Sequence, residues 1–207
     1  MTVRELAGAL GEPPVPDGSW EREAVYLSAA ALRRRAPAEA LAERVRAVPG
    51  VADVEVRGNG FLRITVAVPG ELLESMEPVE IPEPAWPDFP RTWDNPGFVV
   101  RYAHVRARAV RRWARELGVP EAGFRPEALD DPYDRQVLRV LAELPGRVVS
   151  RDPGWETYLV RLALAFHDAH EHAPAVPRGD EPVTAVHTAR VRLAEAVGGV
   201  VMGPDRL

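Results

Sequence analysis

The sequence predicts an α+β N-terminal unit, with helices packed on a small β-hairpin or sheet, followed by an all-α helical bundle. Three observations predict it. Between Val51 and Val68 apolar residues recur at roughly every second position around Gly58-Asn59-Gly60, the pattern of a hairpin with a tight turn. After Pro96 apolar residues recur at three and four positions, the helical period. Between these stretches the chain carries prolines at 78, 82, 84, 87, 90 and 96, too many for a regular helix or an inner strand. The chain therefore divides into 1–69, an acidic Pro-rich linker at 70–97, and 98–207.

In order, Thr2–Leu10 reads as a short helix ahead of the Pro13-Pro14-Val15-Pro16 break. From Ser19, a candidate N-cap, a helix is expected toward Arg35, with Trp20, Ala24, Leu27 and Ala31 at helical spacing. Pro37 restarts the chain, and Ala38–Val48 reads as a second helix ended by Pro49-Gly50. Val51, Val54 and Val56 form one arm of the hairpin. Phe61, Leu62, Ile64, Val66 and Val68 form the other. A short helical stretch to Met76 opens the linker, whose Ile81, Trp86, Phe89 and Trp93 are too apolar for a free tether, so part of it is expected to lie along one domain. The helical part then offers a long helix over Phe98–Gly118, a turn at Pro126–Leu129 and a helix over Tyr133–Leu144 with a stop at Pro145-Gly146. A further helix is expected over Trp155–His172, and a last one from Glu181 to about Val201. Helices of this length joined by short loops make a bundle.

Composition narrows the chemistry. The 207 residues contain no cysteine and no lysine, so disulfides, thiolate nucleophiles and Cys-based zinc sites are excluded, and all 26 basic residues are arginine. No GxxxxGK[ST] phosphate loop and no GxSxG elbow occurs, so catalysis is not expected. No apolar run approaches the roughly 18 residues of a membrane span. The first twenty residues hold Glu5, Glu12 and Asp17 and do not read as a signal peptide, so a cytoplasmic protein with no membrane partner is expected. The net charge of −5 is uneven: 70–97 carries −6 and 98–207 carries +1.

The most charged stretch is Phe98–Gly118. On a helical wheel Arg101, His104, Arg108, Arg111, Arg112 and Arg115 fall within about one third of the circle, with Tyr102, Ala103, Val110, Trp113, Ala114 and Leu117 opposite. Clustered arginine is either a solvated face or the electrostatic footprint of a nucleic-acid binder. Arg106 breaks the pattern by pointing toward the apolar side. A guanidinium there is expected to find Asp168, Glu171 or a carbonyl at that helix end as its partner. The run His167-Asp168-Ala169-His170-Glu171-His172 places ligand types at helical spacing. It sits, however, at a helix C-terminus, where the dipole favours histidine, and no fourth ligand is evident, so no metal and no cofactor are expected.

Tyr102-Ala103-His104-Val105-Arg106 resembles the Tyr-Ala-His-Ala-Arg signature that opens the anticodon-binding domain of arginyl-tRNA synthetases, the DALR fold. Ala163-Leu164-Ala165-Phe166-His167 and Pro174 are similar to that family's Leu-Ala-Gln-Ala-Phe-His and following proline, and 182–203 stands in the place of its terminal helix. Pro37-Ala38-Glu39-Ala40-Leu41-Ala42, Val48-Pro49-Gly50-Val51 and Gly58-Asn59-Gly60-Phe61-Leu62 resemble the synthetase's N-terminal additional domain. Arg63 stands where the family has Asn, and Gly18-Ser19-Trp20-Glu21-Arg22-Glu23 replaces its Gly-Asp-Tyr-Ala-Thr-Asn. The family's catalytic domain, with its His-Ile-Gly-His signature, falls between these two parts. Here that interval is the linker, which is too short for a domain.

The resemblance implies a DALR-type bundle over 98–207 and a non-catalytic, free-standing relative of the synthetase that binds tRNA or a tRNA-like RNA. The N-terminal unit would touch the D-loop corner and the helical part the anticodon region. Arg101, His104, Arg108, Arg111, Arg112 and Arg115 are the RNA-contacting candidates; Tyr102, Arg106, Trp113, Phe166 and His167 are the residues expected to hold the motif. One alternative is a protein-interaction or regulatory subunit, with a synthetase as one candidate partner, binding through Trp86, Phe89 and Trp93. The other is a part in arginyl-tRNA aminoacylation.

Overall fold

The computed structural model describes residues 3–82, 84–87 and 89–202. Helix α1 (Val3–Leu10) matches the first expected helix, except that Thr2 lies outside the described residues. It buries Val3, Leu6 and Leu10, spaced for one helical face. Strands β1 (Val15–Asp17) and β2 (Ala24–Ser28) follow, then helices α2 (Ala30–Arg34) and α3 (Ala38–Arg46), then strands β3 (Val51–Val56) and β4 (Leu62–Val66). The four strands form one antiparallel sheet in the order β1-β2-β4-β3. Ile64 lies opposite Tyr26 on one side and Val54 on the other, and all three are buried. Gly60, at φ +80°, turns the hairpin; α3 packs on the sheet and α1 packs on α3.

The helix expected over 19–35 forms only as α2, over Ala30–Arg34. Trp20 is fully buried in a left-handed conformation, φ +64°, which stops a helix at its second residue. Its indole donates to the Val25 carbonyl at 3.0 Å and meets Tyr26 edge-on. Residues 24–28 then pair on both sides, with β1 and with β4. A short apolar run fits either period, and here two hydrogen-bonding neighbours decide for the strand. Pro16 is tolerated because β1 is an edge strand.

A 3-10 turn (Pro69–Glu74) opens the segment 70–97, and Pro69, Gly70, Leu72 and Leu73 are buried. Ile81 and Trp86 pack against the core, whereas Phe89 and Trp93 are 69% and 56% exposed. The remainder is helical: α4 (Pro96–Glu116), a 3-10 turn (Pro126–Ala128), α5 (Pro132–Leu141), α6 (Leu144–Val148), α7 (Trp155–His172) and α8 (Ala185–Met202). Three boundaries differ from expectation. The helix expected to reach Leu144 ends at Leu141. Pro145-Gly146 does not stop the chain but lies in the first turn of α6, where proline lacks only an N–H that has no intrahelical partner anyway. The last helix starts at Ala185 rather than Glu181, its entry tied by the Thr184 N–H donating to Nδ1 of His187 at 3.1 Å. Gly203, the end of the family-like terminal stretch, lies outside the described residues.

The hydrophobic core is continuous from α1 and the sheet through the 3-10 turn to α4, α5, α7 and α8. Polar bonds reinforce this joint. Arg139 on α5 donates from Nε to the Gly18 carbonyl at 2.8 Å and from a terminal nitrogen to that of Pro16 at 3.3 Å. Arg135, one turn earlier, donates to the carbonyls of Arg22, at 3.0 Å, and Trp20. Gly70 lies so close to the Pro126 carbonyl that a Cβ there would overlap it. Gly70→Ala is therefore expected to cost about 2 kcal/mol by forcing two backbone segments apart. A thermal melt matching the parent would show that this contact yields freely.

Glu143, between α5 and α6, accepts from Arg139, Arg147 and Arg161, the last two at 2.7 and 2.6 Å. Burial alone would raise its carboxyl, but the hydrogen bonds from Arg161, Arg147 and Arg139 outweigh that and hold it down at about 2, against an ordinary 4.5. A folded-state pKa below the unfolded one means stabilisation that is complete above pH 4.5 and lost as pH falls toward 2. Glu143→Gln is expected to lose on the order of 2 kcal/mol at pH 7. In urea titrations its gap to the parent should narrow below pH 4.5; a gap independent of pH would dissociate the residue's role from its charge.

Candidate nucleic-acid interface

Helix α4 is started by Asn95, whose side chain accepts from the N–H groups of Gly97 and Phe98, with Pro96 in the first turn. Its buried seam is Val99, Ala103, Ala107, Val110 and Ala114, and α7 and α8 pack on it. Helix α8 packs on α4 more extensively than α7 and lies on the His104 side, where Arg111 reaches its Glu195, so the covered side is rotated toward His104 and away from Trp113. Trp113, expected to hold the helix on its core, is 38% exposed, and Leu117 is 49% exposed. His104 moves the opposite way. It was expected beside the arginines and is instead buried at 7% exposure.

The structure sorts the candidate arginines. Arg108, Arg111, Arg112 and Arg115 are exposed and line one open groove with Val105 and Ala109. Among the described residues only Arg111 has an acidic partner there, Glu195 on α8 at 3.4 Å, while Nε of Arg115 donates to the Arg111 carbonyl. Among the described residues, no ion pair engages Arg108 or Arg112. Arg101 is half-buried and donates to the Trp86 carbonyl at 3.4 Å, so it holds the preceding segment as well as carrying charge.

Arg106 finds one of its expected partners. Its guanidinium lies 2.9 Å from Glu171, not against Asp168. It also covers the Tyr102 ring at 4.7 Å and donates to the Tyr102 hydroxyl at 3.2 Å. Arg106 itself is only 18% exposed, but Glu171 faces solvent, so this is a pair at the rim of the core rather than within it. The Arg106 hydrogen bond lowers the Glu171 carboxyl below the usual carboxylate range. Phe166 and His167 are buried on α7. Nε2 of His167 lies 3.3 Å from the Val99 carbonyl, and burial lowers the ring's pKa, keeping it neutral near pH 7.

Three rings of the motif region adjoin one another. Phe98 and Tyr102 stack at 5.5 Å, Tyr102 lies 5.3 Å from His167, and Trp93 stands nearly perpendicular to all three. Sequence reasoning missed Asn95, which the Asn-Pro pair at a helix start signals. It singled out Trp93 for its apolar character, but the rings that Trp93 packs against are not signalled locally. The histidine run does not converge: His172 stacks on Tyr133 at 4.6 Å, and among the described residues no three His, Asp or Glu side chains are placed to hold a metal. Arg63, which departs from the family pattern, pairs with Glu23 at 2.6 Å and donates to Thr65. Among the described residues no helix is long and apolar enough to cross a membrane.

An arginine–tRNA ligase of Clavibacter sepedonicus is 42% identical to this chain over 117 residues, 54% of the chain and 21% of the ligase. This chain is related to arginine–tRNA ligases. The ligase of Kineococcus radiotolerans is 36% identical over 132 residues, covering 56% of the chain and 24% of the ligase. That of Paenarthrobacter aurescens is 33% identical over 113 residues, covering 52% and 21%. The chain thus spans about a fifth to a quarter of the length of these curated relatives. No family model matches the chain, and no solved structure matches it.

The rim position of the Arg106 pair sets its expected energetics. Arg106→Ala should lose about 1 kcal/mol, the scale of a cation–π contact at a partly exposed site. Glu171→Gln should leave the thermal midpoint unchanged, since its carboxylate is solvated whether or not the pair forms. Unfolding of Glu171→Gln well below the parent would show that the carboxylate, not the ring, seats Arg106.

Proposed function

We propose that this chain is a non-catalytic tRNA-binding protein whose helical part contacts the anticodon stem and loop. The observation that carries the reading is the groove on α4, where four exposed arginines converge with a single acidic partner among the described residues. Like charges gathered without compensation are costly unless an anion relieves them, and a phosphate backbone presents anions at regular spacing. The relationship to arginine–tRNA ligases supports tRNA as the RNA class. Two features of the sequence support a role without chemistry. The interval 70–97 holds no domain-sized segment, and the 207 residues contain neither a lysine nor a His-Ile-Gly-His tetrad.

The N-terminal unit is the second contact surface in this reading. Its loop 17–23 is fixed by Arg135 and Arg139 through backbone carbonyls, which leaves the side chains of Glu21, Arg22 and Glu23 exposed. Because that surface is mixed in charge, most of the electrostatic attraction falls to α4.

The test is retardation of total tRNA in a native gel at low salt, followed by affinity against salt concentration. The parent is expected to bind with a steep salt dependence. Arg108→Ala with Arg112→Ala should weaken binding at least tenfold and reduce the slope of log K against log salt by roughly 1.5 to 2. The double variant should melt within about 1 kcal/mol of the parent, since among the described residues neither side chain has an ion-pair or hydrogen-bond partner. No retardation at tens of micromolar protein would refute RNA binding. Formation of arginyl-tRNA from arginine, ATP and tRNA by the purified chain would refute the non-catalytic part.

A further inference from the structure

The segment before α4 is clasped to the helix. Asn95 is 4% exposed, and its side-chain oxygen accepts from the N–H groups of Gly97 at 2.9 Å and Phe98 at 3.4 Å. Its amide nitrogen donates to the carbonyls of Pro87 at 3.0 Å and Pro90 at 2.8 Å. Arg101 holds the Trp86 carbonyl from the next turn. Gly97 makes the approach possible, since a Cβ there would lie 2.7 Å from that of Trp86 and 3.1 Å from the Pro87 carbonyl. Trp86, Pro87, Pro90 and Asn95 are thus anchoring points, and the segment does not trail as a tether.

That anchoring fixes Trp93. Its indole lies 4.8 Å from the His167 ring, 5.7 Å from Tyr102 and 5.8 Å from Phe98, at 78° to 88° to their planes. Despite three ring contacts it remains 56% exposed. A single exposed apolar side chain is ordinary. One immobilised by three rings and a backbone clasp is different, because a planar ligand stacking on it sacrifices little further side-chain freedom. The surroundings hold both signs of charge: Arg106 covers Tyr102 while pairing with Glu171, Arg101 flanks the segment, Arg91 lies 5.1 Å over Phe89, and Asp94 follows Trp93 in the chain.

The position relates to the arginine groove through helix geometry. At 1.5 Å per residue, Arg108 lies about 9 Å and Arg115 about 20 Å along α4 from Tyr102, a span of a few nucleotides. Around the axis, at 3.6 residues per turn, Tyr102 stands about 120° from Arg108, so a strand whose phosphates follow those arginines reaches Trp93 by crossing α4 past the groove-lining Val105. We propose that Trp93 is a nucleobase-stacking residue supplied by the 84–95 segment, extending the arginine groove into a site for an unpaired stretch of RNA. The inference rests on the RNA-binding reading of α4. Stacking of this kind tolerates sequence, since every base has a π-face, so the site distinguishes unpaired from paired RNA rather than one base from another.

The experiment uses the full chain with two RNAs: a stem closed by a seven-nucleotide loop, and a blunt duplex of the same stem. Affinity for each is measured by filter binding, with tryptophan emission followed in parallel. Trp93→Ala is expected to weaken stem-loop binding about tenfold, leaving duplex affinity and the salt slope unchanged. Trp93→Phe should keep most of the affinity and remove the part of the emission quench that stem-loop RNA causes in the parent. Its near-parental melting would separate ring loss from misfolding. Stem-loop affinity unchanged in Trp93→Ala, with the parent binding well, overturns this inference and leaves RNA binding by α4 standing. Tighter binding by Trp93→Ala overturns it too, and makes the indole a cover over Tyr102 instead. A parent that binds neither RNA refutes the arginine-groove reading, and the stacking role falls with it.

Discussion

One carboxylate organises the joint between the two parts of this fold. Glu143 is 13% exposed and receives Arg139 from α5, Arg147 from α6 and Arg161 from α7. Three guanidiniums around one carboxylate leave surplus positive charge, and each of the two more buried arginines has a second acceptor. Arg139 reaches the Gly18 and Pro16 carbonyls, and Arg147 reaches Pro153 while covering the Tyr158 ring at 4.8 Å. The planar, five-donor guanidinium makes such sharing feasible; a lysine ammonium would not hold a carboxylate and a backbone carbonyl in fixed directions at once. Because Arg139 couples the carboxylate to loop 16–18, the helical part and the sheet are oriented by the same charge.

A second internal pair works against a steeper cost. Asp134 is 1% exposed, and burial pushes its carboxyl up to about 6, even though Nε of Arg190 donates to it at 2.9 Å. Arg190 also reaches Asp131 and the Pro174 carbonyl, so it ties α5 and the loop after α7 to α8. Pairs this deep contribute less net stability than their contacts suggest, because desolvating both ions offsets most of the attraction. What they fix is register: α8 cannot slide along α5 without leaving a buried charge unpaired.

Against these internal arginines, the groove on α4 stands out by contrast. Arg139, Arg147 and Arg190 find carboxylates or carbonyls, and Arg106 finds a ring and a rim carboxylate. Arg108 and Arg112 face solvent with no described ion-pair partner. In a chain that uses arginine for every basic position, residue type alone carries no message about a binding role. The separation into satisfied and unsatisfied guanidiniums does, and it is a property of the folded arrangement.

Local chemistry was enough to place much of this molecule from sequence. The hairpin follows from its period and its glycine turn, the Arg-rich helix from its proline start, and Trp155–His172 from its stripe of apolar residues, each a feature read within one segment. The resemblance to arginyl-tRNA synthetases was likewise carried by short runs such as Tyr102–Arg106. Three matters were beyond it. Residues 24–28 became a strand because β1 and β4 lie on either side to accept and donate its hydrogen bonds. His104 turned inward and Trp113 outward because α8 covers the side of α4 on which His104 and Arg111 stand. Trp93 came to stand against Tyr102 and His167, residues 9 and 74 positions away, because Asn95 and Gly97 fold its segment back onto the helix. Segment-level period and turn chemistry are written in neighbouring residues; which face is covered, and by what, depends on surfaces that meet only once the chain has folded.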